Sequence, residues 1–267
     1  MQIKDFLNDI IKKAGKKILK ESSKGFDIEY KGEKDVVTNI DKLIEKFIIS
    51  EILEIFPDHA ILGEEKGIKN KVENAPYIWI IDPIDGTSNF SHGLPHYAVS
   101  IAIFKQKSIK KSKNFQFLEG EIILGAIYNP NTKELFFAEK NKGAFLNDKK
   151  ITVSDITNIE ESIFANDFPI THSELNFSAQ EAIQEHCQST RRMGSSALDL
   201  AYIACGRIDG LLSFGLKAWD IAAGVLIVNE AGGSISDTNG NLIDLFGEDI
   251  LATNGHLHKK TLKILKQ

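Results

Sequence analysis

A nearly all-apolar segment that runs directly into two aspartates constrains this chain more than any other feature of its sequence. Residues 77–81 have the composition of a buried β-strand, and Asp82 and Asp85 follow at once. A carboxylate at the end of a buried strand costs several kcal/mol unless it is paired or bound to a metal ion. Gly86 then permits a tight turn, and residues 87–89 offer hydroxyl, amide and backbone N–H groups at a predicted helix start, where phosphate binds well. This pattern predicts a site that holds cations beside a phosphate group.

Three more acidic residues adjoin apolar segments elsewhere in the chain. Glu64 follows a short apolar run, Asp220 begins a helix rich in small residues, and Asp41 lies in the first turn of another predicted helix. If each residue is considered alone, Glu64 is explained by an acidic turn, and Asp41 and Asp220 are explained by helix capping. Taken with the aspartates of 82–85, Glu64 and Asp220 complete a set of carboxylate oxygens from loops at strand ends. Such hard oxygen ligands suit Mg²⁺ rather than Zn²⁺.

The overall composition is that of a globular protein. With 267 residues, 42% of them hydrophobic and 26% charged, the chain can form one large domain or two packed halves. We expect it to be soluble and cytoplasmic, because its N-terminus lacks the apolar run of a signal peptide and no segment approaches the roughly 18 apolar residues of a membrane span. Cys187 and Cys205 are too few for a disulfide framework, and we expect both to be buried free thiols in helical segments.

The net charge of -5 provides no overall positive field that would favour nucleic acid. The segment 105–114 nevertheless carries five lysines. These lysines could form a tip that binds an anion or RNA, or they could belong to a solvated hairpin. We interpret the segment as a solvated hairpin. We therefore expect neither nucleic acid nor a membrane among the partners.

Hydrophobic periodicity divides the chain into two halves. In residues 1–155, one amphipathic helix at 3–18 and a second that begins at Thr38 or Asn39 precede a mainly antiparallel sheet. In residues 156–267, short strands alternate with helical segments, which predicts an α/β half that contributes Asp220. The predicted strands are 59–62, 77–81, 98–104, 121–128, 135–139, 162–165, 210–214, 233–236 and 250–253, and the later helices are 173–185, 195–205 and 220–231.

Seven segments of the sequence resemble the inositol monophosphatase family of Mg²⁺-dependent, lithium-sensitive phosphatases. DPIDGT followed by WDIAAG at this separation is highly specific. The resemblance implies a mixed α/β fold, a layered αβαβα sandwich of the inositol monophosphatase and fructose-1,6-bisphosphatase type, in a homodimer with the site between the two halves. The segments are DVVTNID (35–41), GEE (63–65), DPIDGTSNF (82–90), RRMGSSALDLAYIACGRIDG (191–210), WDIAAG (219–224), EAGG (230–233) and LATNG (251–255).

The resemblance also implies two to three Mg²⁺ ions and the residues that bind them. Glu64, Asp82 and the backbone carbonyl of Ile84 would hold the first ion. Asp82, Asp85 and Asp220 would hold the second, and Glu64 would help to hold a weaker third.

The catalytic residues implied in the same way are Thr87, Asp41 and Glu64. Thr87, hydrogen-bonded to Asp41, would orient and activate the attacking water. The phosphate would lie against residues 86–88, and the alcohol portion of the substrate against the 194–196 segment. The implied substrate contacts are Asp85, Gly86, Thr87, Ser88, Gly194, Ser196 and Asp220.

The implied substrate is a small polyol or sugar phosphate, with inositol 1-phosphate first. Ser213 stands where inositol-specific members place a glutamate that hydrogen-bonds a ring hydroxyl, so discrimination for inositol is in question. Arg191, Arg192 and Lys217 could instead favour a second negative group, as in fructose 1,6-bisphosphate, or could serve as helix-end charges. Histidinol phosphate is a further alternative within the family.

Two other classes of protein remain open from the sequence. A haloacid-dehalogenase type of phosphatase forms a phosphoaspartate, but its motif spaces the acids as Asp-x-Asp, and Asp82 and Asp85 miss that spacing by one residue. A non-catalytic scaffold for RNA or a transcription complex would use the lysine-rich segment with Arg191 and Arg192. The acidic net charge argues against broad affinity for nucleic acid.

Overall fold

The computed structural model describes residues 2–32, 36–70, 72, 75–111, 116–167, 173–247 and 249–266. The side chains of 108–111, 116–119, 167 and 173–176 are outside that description. The helices are α1 Ile3–Ser22, α2 Asn39–Ile55, α3 Thr87–Ser91, α4 Ser173–His186, α5 Ser196–Ala204, α6 Ala218–Glu230 and α7 His258–Ile264. The strands are β1 Ile28–Tyr30, β2 Val36–Thr38, β3 Ala60–Gly63, β4 Gly67–Lys69, β5 Tyr77–Asp85, β6 Ala98–Lys111, β7 Gln116–Asn129, β8 Glu134–Glu139, β9 Gly143–Leu146, β10 Lys149–Ile151, β11 Ile163–Asp167, β12 Ser189–Arg191, β13 Gly210–Phe214, β14 Ser234–Ser236 and β15 Asp249–Thr253.

The two N-terminal helices form where the periodicity predicts them. Helix α2 begins with a capping box, in which Oγ1 of Thr38 accepts from the backbone N–H of Asp41, and the Asp41 carboxylate accepts from the N–H of Thr38 at 2.8 Å. The helix ends at Ile55, two residues before Pro57. The cap thus places the Asp41 side chain at the buried start of the helix.

The first sheet contains eight strands over the described residues, in the order β10-β9-β8-β7-β6-β5-β3-β4. Its neighbours pair antiparallel except for β3 and β5, which are parallel. This confirms the mainly antiparallel sheet. One face packs against α1 and α2 through buried residues such as Leu7, Ile44, Trp79 and Ile101. The opposite face packs against α5 and α6.

The second sheet has the strand order β12-β11-β13-β15-β14 over the described residues. Strand β11 pairs parallel with β12 and β13, while β15 pairs antiparallel with β13 and β14. One face shares the α5–α6 core, and the other packs against α4 and α7 around Phe164, Leu212 and Leu251. The layers are therefore helix, sheet, helix, sheet, helix, which confirms the αβαβα sandwich.

Several local predictions need correction. Strand β5 continues to Asp85, because pairing with β6 resumes there after an irregularity that follows Asp82. Helix α6 starts at Ala218 rather than at Asp220. Cys187 and Cys205 are free but only half-buried, and each lies one residue beyond the end of its helix.

Two further predictions meet the limits of the described residues. Strands β6 and β7 pair antiparallel from Val99 to Lys111, in agreement with a hairpin, but 112–114 and the lysine side chains beyond 107 lie outside the described residues. Among the described helices, none combines the length and the apolar character that crossing a membrane requires. The division of the chain at 155 and 156 stays a prediction.

Candidate metal and phosphate site

The end of β5 brings the two aspartates of the opening motif onto one irregular stretch of backbone. Asp82 pairs with Ser100 of β6, the register then shifts, and Asp85 pairs with Ala98. Oδ1 of Asp82 accepts a hydrogen bond from the Ile84 N–H at 2.9 Å, which closes the stretch into a tight turn. Both aspartates are buried. The chain thus holds two carboxylates in fixed orientations just before the turn at Gly86.

Gly86 makes the transition from β5 to α3. Its φ of +95° lies in the left-handed region, which side chains rarely adopt. A Cβ atom there would also come within 3.0 Å of the Gly194 carbonyl oxygen and 3.1 Å of the His96 carbonyl oxygen. Glycine is therefore required both by the turn and by the close approach of two other backbone segments.

Three aspartates converge around one point. One carboxylate oxygen each from Asp82, Asp85 and Asp220 lie within 4.8 Å of one another. Oδ2 of Asp85 accepts from the Ser195 hydroxyl and, at 3.0 Å, from the Ala197 N–H. Oδ2 of Asp220 accepts from the Lys217 N–H at 2.7 Å in the first turn of α6. Hydrogen bonds to the backbone of two helix starts thus set the directions of two of the three carboxylates.

The electrostatics of this group favour a cation. Burial, followed by the charges of Glu64, Asp85 and Asp220, raises the pKa of Asp82 well above its ordinary value. A divalent cation would relieve both the repulsion and the desolvation. The ligands are all carboxylate oxygens, which fits Mg²⁺.

Glu64 lies in the same cleft but outside the three-aspartate group. Its Oε1 is 3.2 Å from Nζ of Lys31, which also approaches Oε1 of Glu65 at 2.5 Å. Burial raises the pKa of Glu64 to about 7, with further contributions from Glu65 and Asp220 against the opposing charge of Lys31. The negative charge that raises the pKa of Asp82 therefore also raises the pKa of Glu64.

Thr87 connects the start of α3 to the start of α2. Its Oγ1 lies 3.0 Å from Oδ1 of Asp41 and 2.9 Å from the Ile84 carbonyl oxygen. The other oxygen of Asp41 accepts from the N–H and hydroxyl of Thr38. Burial raises the pKa of Asp41, although the hydrogen bonds from Thr38 and Thr87 oppose the shift. The threonine thus lies between a buried carboxylate and the open cleft.

The cleft is open and has a volume of about 420 Å³. Asp82 and the Ile84 carbonyl are buried behind its wall. The Ile84 oxygen lies 2.9 Å from Oγ1 of Thr87, and a carbonyl oxygen has two lone pairs, so it has the chemistry of a cation ligand. Asp41 is fully buried and reaches the cleft only through Thr87. The predicted residues that line the cleft are Glu64, Asp85, Gly86, Thr87, Ser88, Gly194, Ser196 and Asp220.

The residues considered for substrate specificity lie in different environments. Arg192 lines the cleft, whereas Arg191 donates to the Ser189 hydroxyl and the Thr190 carbonyl at its own strand. Lys217 is exposed beside the first turn of α6. Ser213 is fully buried within β13 and is not part of the cleft lining. Arg192 is therefore the member of this set that lines the cleft.

Sequence reasoning missed Ser195 and Lys31, and it assigned the Asn89 amide to phosphate binding, whereas the structure directs that amide at backbone carbonyls. Ser195 is the N-cap of α5. A serine directly before a helical segment is a recognisable N-cap signal, so the sequence could have indicated this role. Asn89 lies inside the opening motif, but two of its three backbone partners, Met193 and Gly194, are more than 100 positions away. Lys31 lies among other lysines, so nothing in its local sequence distinguishes it.

The profile of the inositol monophosphatase family matches residues 2–267, and this chain therefore belongs to that family. The chain is 40% identical to the Nus factor SuhB of Pasteurella multocida over 261 residues, which cover 96% of this chain and 90% of that protein. It is 35% identical over 266 residues to the fructose-1,6-bisphosphatase/inositol-1-monophosphatase of Thermotoga maritima, covering 98% and 95%. The crystal structure of the extragenic suppressor protein SuhB from Bartonella henselae matches with a TM-score of 0.89 at 34% identity and covers 99% of this chain and 98% of that one.

Proposed function

We propose that this protein is a Mg²⁺-dependent phosphomonoesterase that hydrolyses a small polyol or sugar phosphate, with inositol 1-phosphate as the first candidate. The observation that carries the proposal is the convergence of three aspartate carboxylates beside the turn at Gly86, with Asp85 and Asp220 lining one open cleft and Asp82 buried behind them. Membership of the inositol monophosphatase family supports the same reaction. The Asp82-x-x-Asp85 geometry, with both acids directed by backbone hydrogen bonds, suits cation binding better than nucleophilic attack.

Two to three Mg²⁺ ions would be held by Glu64, Asp82, Asp85, Asp220 and the Ile84 carbonyl. When bound, Mg²⁺ acts as a Lewis acid that lowers the pKa of the attacking water and offsets the charge of the departing oxygen. Residues 86–88 line the cleft at the start of α3, where the first backbone N–H groups of a helix are available to phosphate oxygens. The phosphate is thereby fixed for in-line attack.

Thr87 and Asp41 handle the proton of the attacking water. Because Oγ1 of Thr87 donates its single hydrogen to Oδ1 of Asp41 in this mechanism, its lone pairs accept a hydrogen bond from the water. Oδ2 of Asp41 is occupied by two hydrogen bonds from Thr38, so Oδ1 is the atom that receives the proton by way of Thr87. The raised pKa of Asp41 makes that carboxylate a better proton acceptor.

Replacing Thr87 tests this mechanism. Thr87→Ala should lower kcat about 100-fold or more and leave Mg²⁺ affinity within about twofold, because the hydroxyl acts on the water. Thr87→Ser keeps the hydroxyl and is the matched control, with most of the activity retained. Asp85→Asn should abolish turnover together with Mg²⁺ binding. A Thr87→Ala variant that loses only Mg²⁺ affinity would contradict the role in activating water.

A bisphosphate substrate is the second candidate, and the position of Arg192 in the cleft favours it. A relative from Thermotoga maritima carries the name fructose-1,6-bisphosphatase/inositol-1-monophosphatase. Values of kcat/KM for inositol 1-phosphate, histidinol phosphate, fructose 1,6-bisphosphate and glycerol 2-phosphate distinguish the candidates. If a second phosphate binds Arg192, Arg192→Gln should raise KM for the bisphosphate about tenfold and spare the monoesters, whereas Arg191→Gln should change neither.

A binding role apart from hydrolysis is the remaining candidate, because a relative at 40% identity is named a Nus factor. Phosphate release from none of the four esters, together with salt-sensitive RNA binding, would favour it over the phosphatase. The family resemblance also supports a homodimer and inhibition by Li⁺. Light scattering and activity at increasing Li⁺ concentration test these two expectations separately.

A further inference from the structure

One side-chain amide joins two walls of the cleft. Nδ2 of Asn89 lies 2.7 Å from the carbonyl oxygen of Met193, 2.8 Å from that of His96 and 3.3 Å from that of Gly194. Asn89 belongs to α3, which carries the phosphate-binding turn, whereas Met193 and Gly194 lie more than 100 positions later and lead into α5. The two hydrogens of one NH₂ group are therefore directed at two backbone segments. One segment contains His96, and the other contains Met193 and Gly194, about 100 positions later in the chain.

The surrounding backbone leaves little room for another arrangement. A Cβ atom at Gly194, where φ is +75°, would lie 3.1 Å from Nδ2 of Asn89. A Cβ atom at Gly86 would meet the carbonyl oxygens of Gly194 and His96 at 3.0 and 3.1 Å. The phosphate-binding turn and the 193–194 segment thus approach each other backbone to backbone, and the Asn89 amide supplies the donors between them.

The two walls have different tasks under the proposed function, on which this inference rests. Residues 86–88 would contact the phosphate, while Gly194 and Ser196, which line the cleft from the later segment, would contact the alcohol portion of an ester. The same later segment supplies the Ser195 hydroxyl and the Ala197 N–H that hold Asp85. That attachment does not involve Asn89.

We propose that Asn89 is a positioning residue that sets the separation of the two walls, so that an ester is held by its phosphate and its alcohol portion at the same time. An organic phosphate, which reaches both walls, depends on Asn89. Inorganic phosphate, which needs only the turn, depends on it much less. Mg²⁺ binding is unaffected, because the hydrogen bonds that direct Asp85 and Asp220 remain.

Three measurements on Asn89→Ala test this role: KM for inositol 1-phosphate or for the best ester of the panel, the inhibition constant of inorganic phosphate, and Mg²⁺ affinity by calorimetry. We expect KM to rise about tenfold or more, because a small displacement of a substrate contact costs much binding. The inhibition constant of phosphate and the Mg²⁺ affinity should each stay within about threefold. Asn89→Asp should raise KM further, because its carboxylate would face carbonyl oxygens.

Two additional variants separate positioning from general damage. Asn70 is a matched control, because its side-chain amide also donates to two backbone carbonyls, those of Pro57 and His59, but lies away from the cleft. Asn70→Gly should therefore leave KM unchanged. Asn89→Ser keeps a single donor and should give an intermediate KM, which preserves the test if Asn89→Ala does not fold.

The outcomes distinguish this inference from the proposed function. Wild-type protein that releases phosphate from no ester contradicts both. Active wild-type protein with an unchanged KM in Asn89→Ala contradicts the positioning role alone. Equal rises in KM and in the inhibition constant of phosphate would also overturn it, because Asn89 would then serve only to fold the turn.

Discussion

Nζ of Lys31 lies 3.2 Å from Oε1 of Glu64, at the edge of the cleft that holds the three-aspartate group. The ammonium also contacts Glu65 at 2.5 Å, and although burial acts in the opposite direction, these two carboxylates raise the pKa of Lys31 above its ordinary value. Lys31 is therefore charged at any physiological pH. The Lys31 ammonium and a divalent metal ion would therefore compete for the Glu64 carboxylate.

Removing this charge should strengthen Mg²⁺ binding. Lys31→Met is expected to raise Mg²⁺ affinity about three- to tenfold, because it removes both a competitor for Glu64 and a repulsive charge near the ions. Calorimetric titration without substrate measures the change. Lys42→Met is the matched control, since Lys42 pairs with Glu29 on an exposed surface and carries the same charge. Equal effects of the two substitutions would indicate only a general change in net charge.

Mg²⁺ should stabilise the folded protein through the aspartate group. Because the ions bind the folded state, saturating Mg²⁺ raises the Tm. Asp220→Asn should reduce Mg²⁺ affinity at least about tenfold and remove most of that rise. The asparagine oxygen can still accept from the Lys217 N–H, so α6 keeps its first turn. Asp58→Asn removes an exposed carboxylate and should retain the full shift. An undiminished shift in Asp220→Asn would place the ions elsewhere.

Gly224 permits the close packing of α5 and α6 between the two sheets. A Cβ atom there would lie 2.4 Å from Cδ1 and 2.6 Å from Cβ of Leu200. Helix propensity favours alanine by about 1 kcal/mol. Overpacking opposes it by a larger amount, so we expect Gly224→Ala to lower the free energy of unfolding by about 1–2 kcal/mol. Urea unfolding measures this, and in a Leu200→Ala background the cost should shrink without disappearing, because the overlap with Cδ1 is removed while that with Cβ remains. An undiminished cost there would argue against this contact.

His258 should make the free energy of unfolding fall in mild acid. Ser236 donates to the Asp237 carbonyl, so Nε2 of His258 donates to the Ser236 hydroxyl and Nδ1 accepts from Thr253. Burial lowers the pKa of His258. In the unfolded chain the His258 imidazole has its ordinary pKa of 6.5. Below about pH 6.5 the unfolded state therefore binds more protons than the folded state, and the free energy of unfolding decreases as the pH falls.

Replacing His258 should flatten that dependence. His258→Gln is expected to lose less stability than the wild type between pH 7 and 5, because one proton-binding difference is removed. Urea unfolding at several pH values provides the measurement. His256→Gln, at an exposed neighbour, should keep the wild-type profile. Part of the slope should persist in His258→Gln, since burial also lowers the pKa of His59 and His96.

Much of the site is encoded by neighbours in the sequence. The apolar run of β5 and the aspartates that end it lie within nine residues. Thr38 caps α2 and thereby places Asp41, three residues later, at the buried helix start. The turn at Gly86 depends on a single glycine. These features rely on hydrogen bonds and periodicity over a few residues, so their pattern is visible in the sequence.

Family resemblance supplied what local pattern could not. Asp220 is an ordinary first-turn aspartate by its own surroundings, and its bond to the Lys217 N–H is a normal helix cap. Only the packing of α6 against the first sheet brings it within 4.8 Å of the other two carboxylates. The end of β5 depends on its pairing with β6, which is why the sequence placed that end four residues too early, and the start of α6 was placed two residues too late.

Residue patterns alone predict the mainly antiparallel first sheet, the aspartates at the end of β5, the capped start of α2 and the glycine turn before α3, whereas the αβαβα class came from the family resemblance. Only the tertiary structure decided that Lys31 meets Glu64, that Ser195 holds Asp85 and that Asn89 joins the two walls of the cleft. The first group depends on spacing and hydrogen bonds between near neighbours. The second depends on how two sheets and the helices between them pack, which is the sum of many weak contacts between residues far apart in the chain.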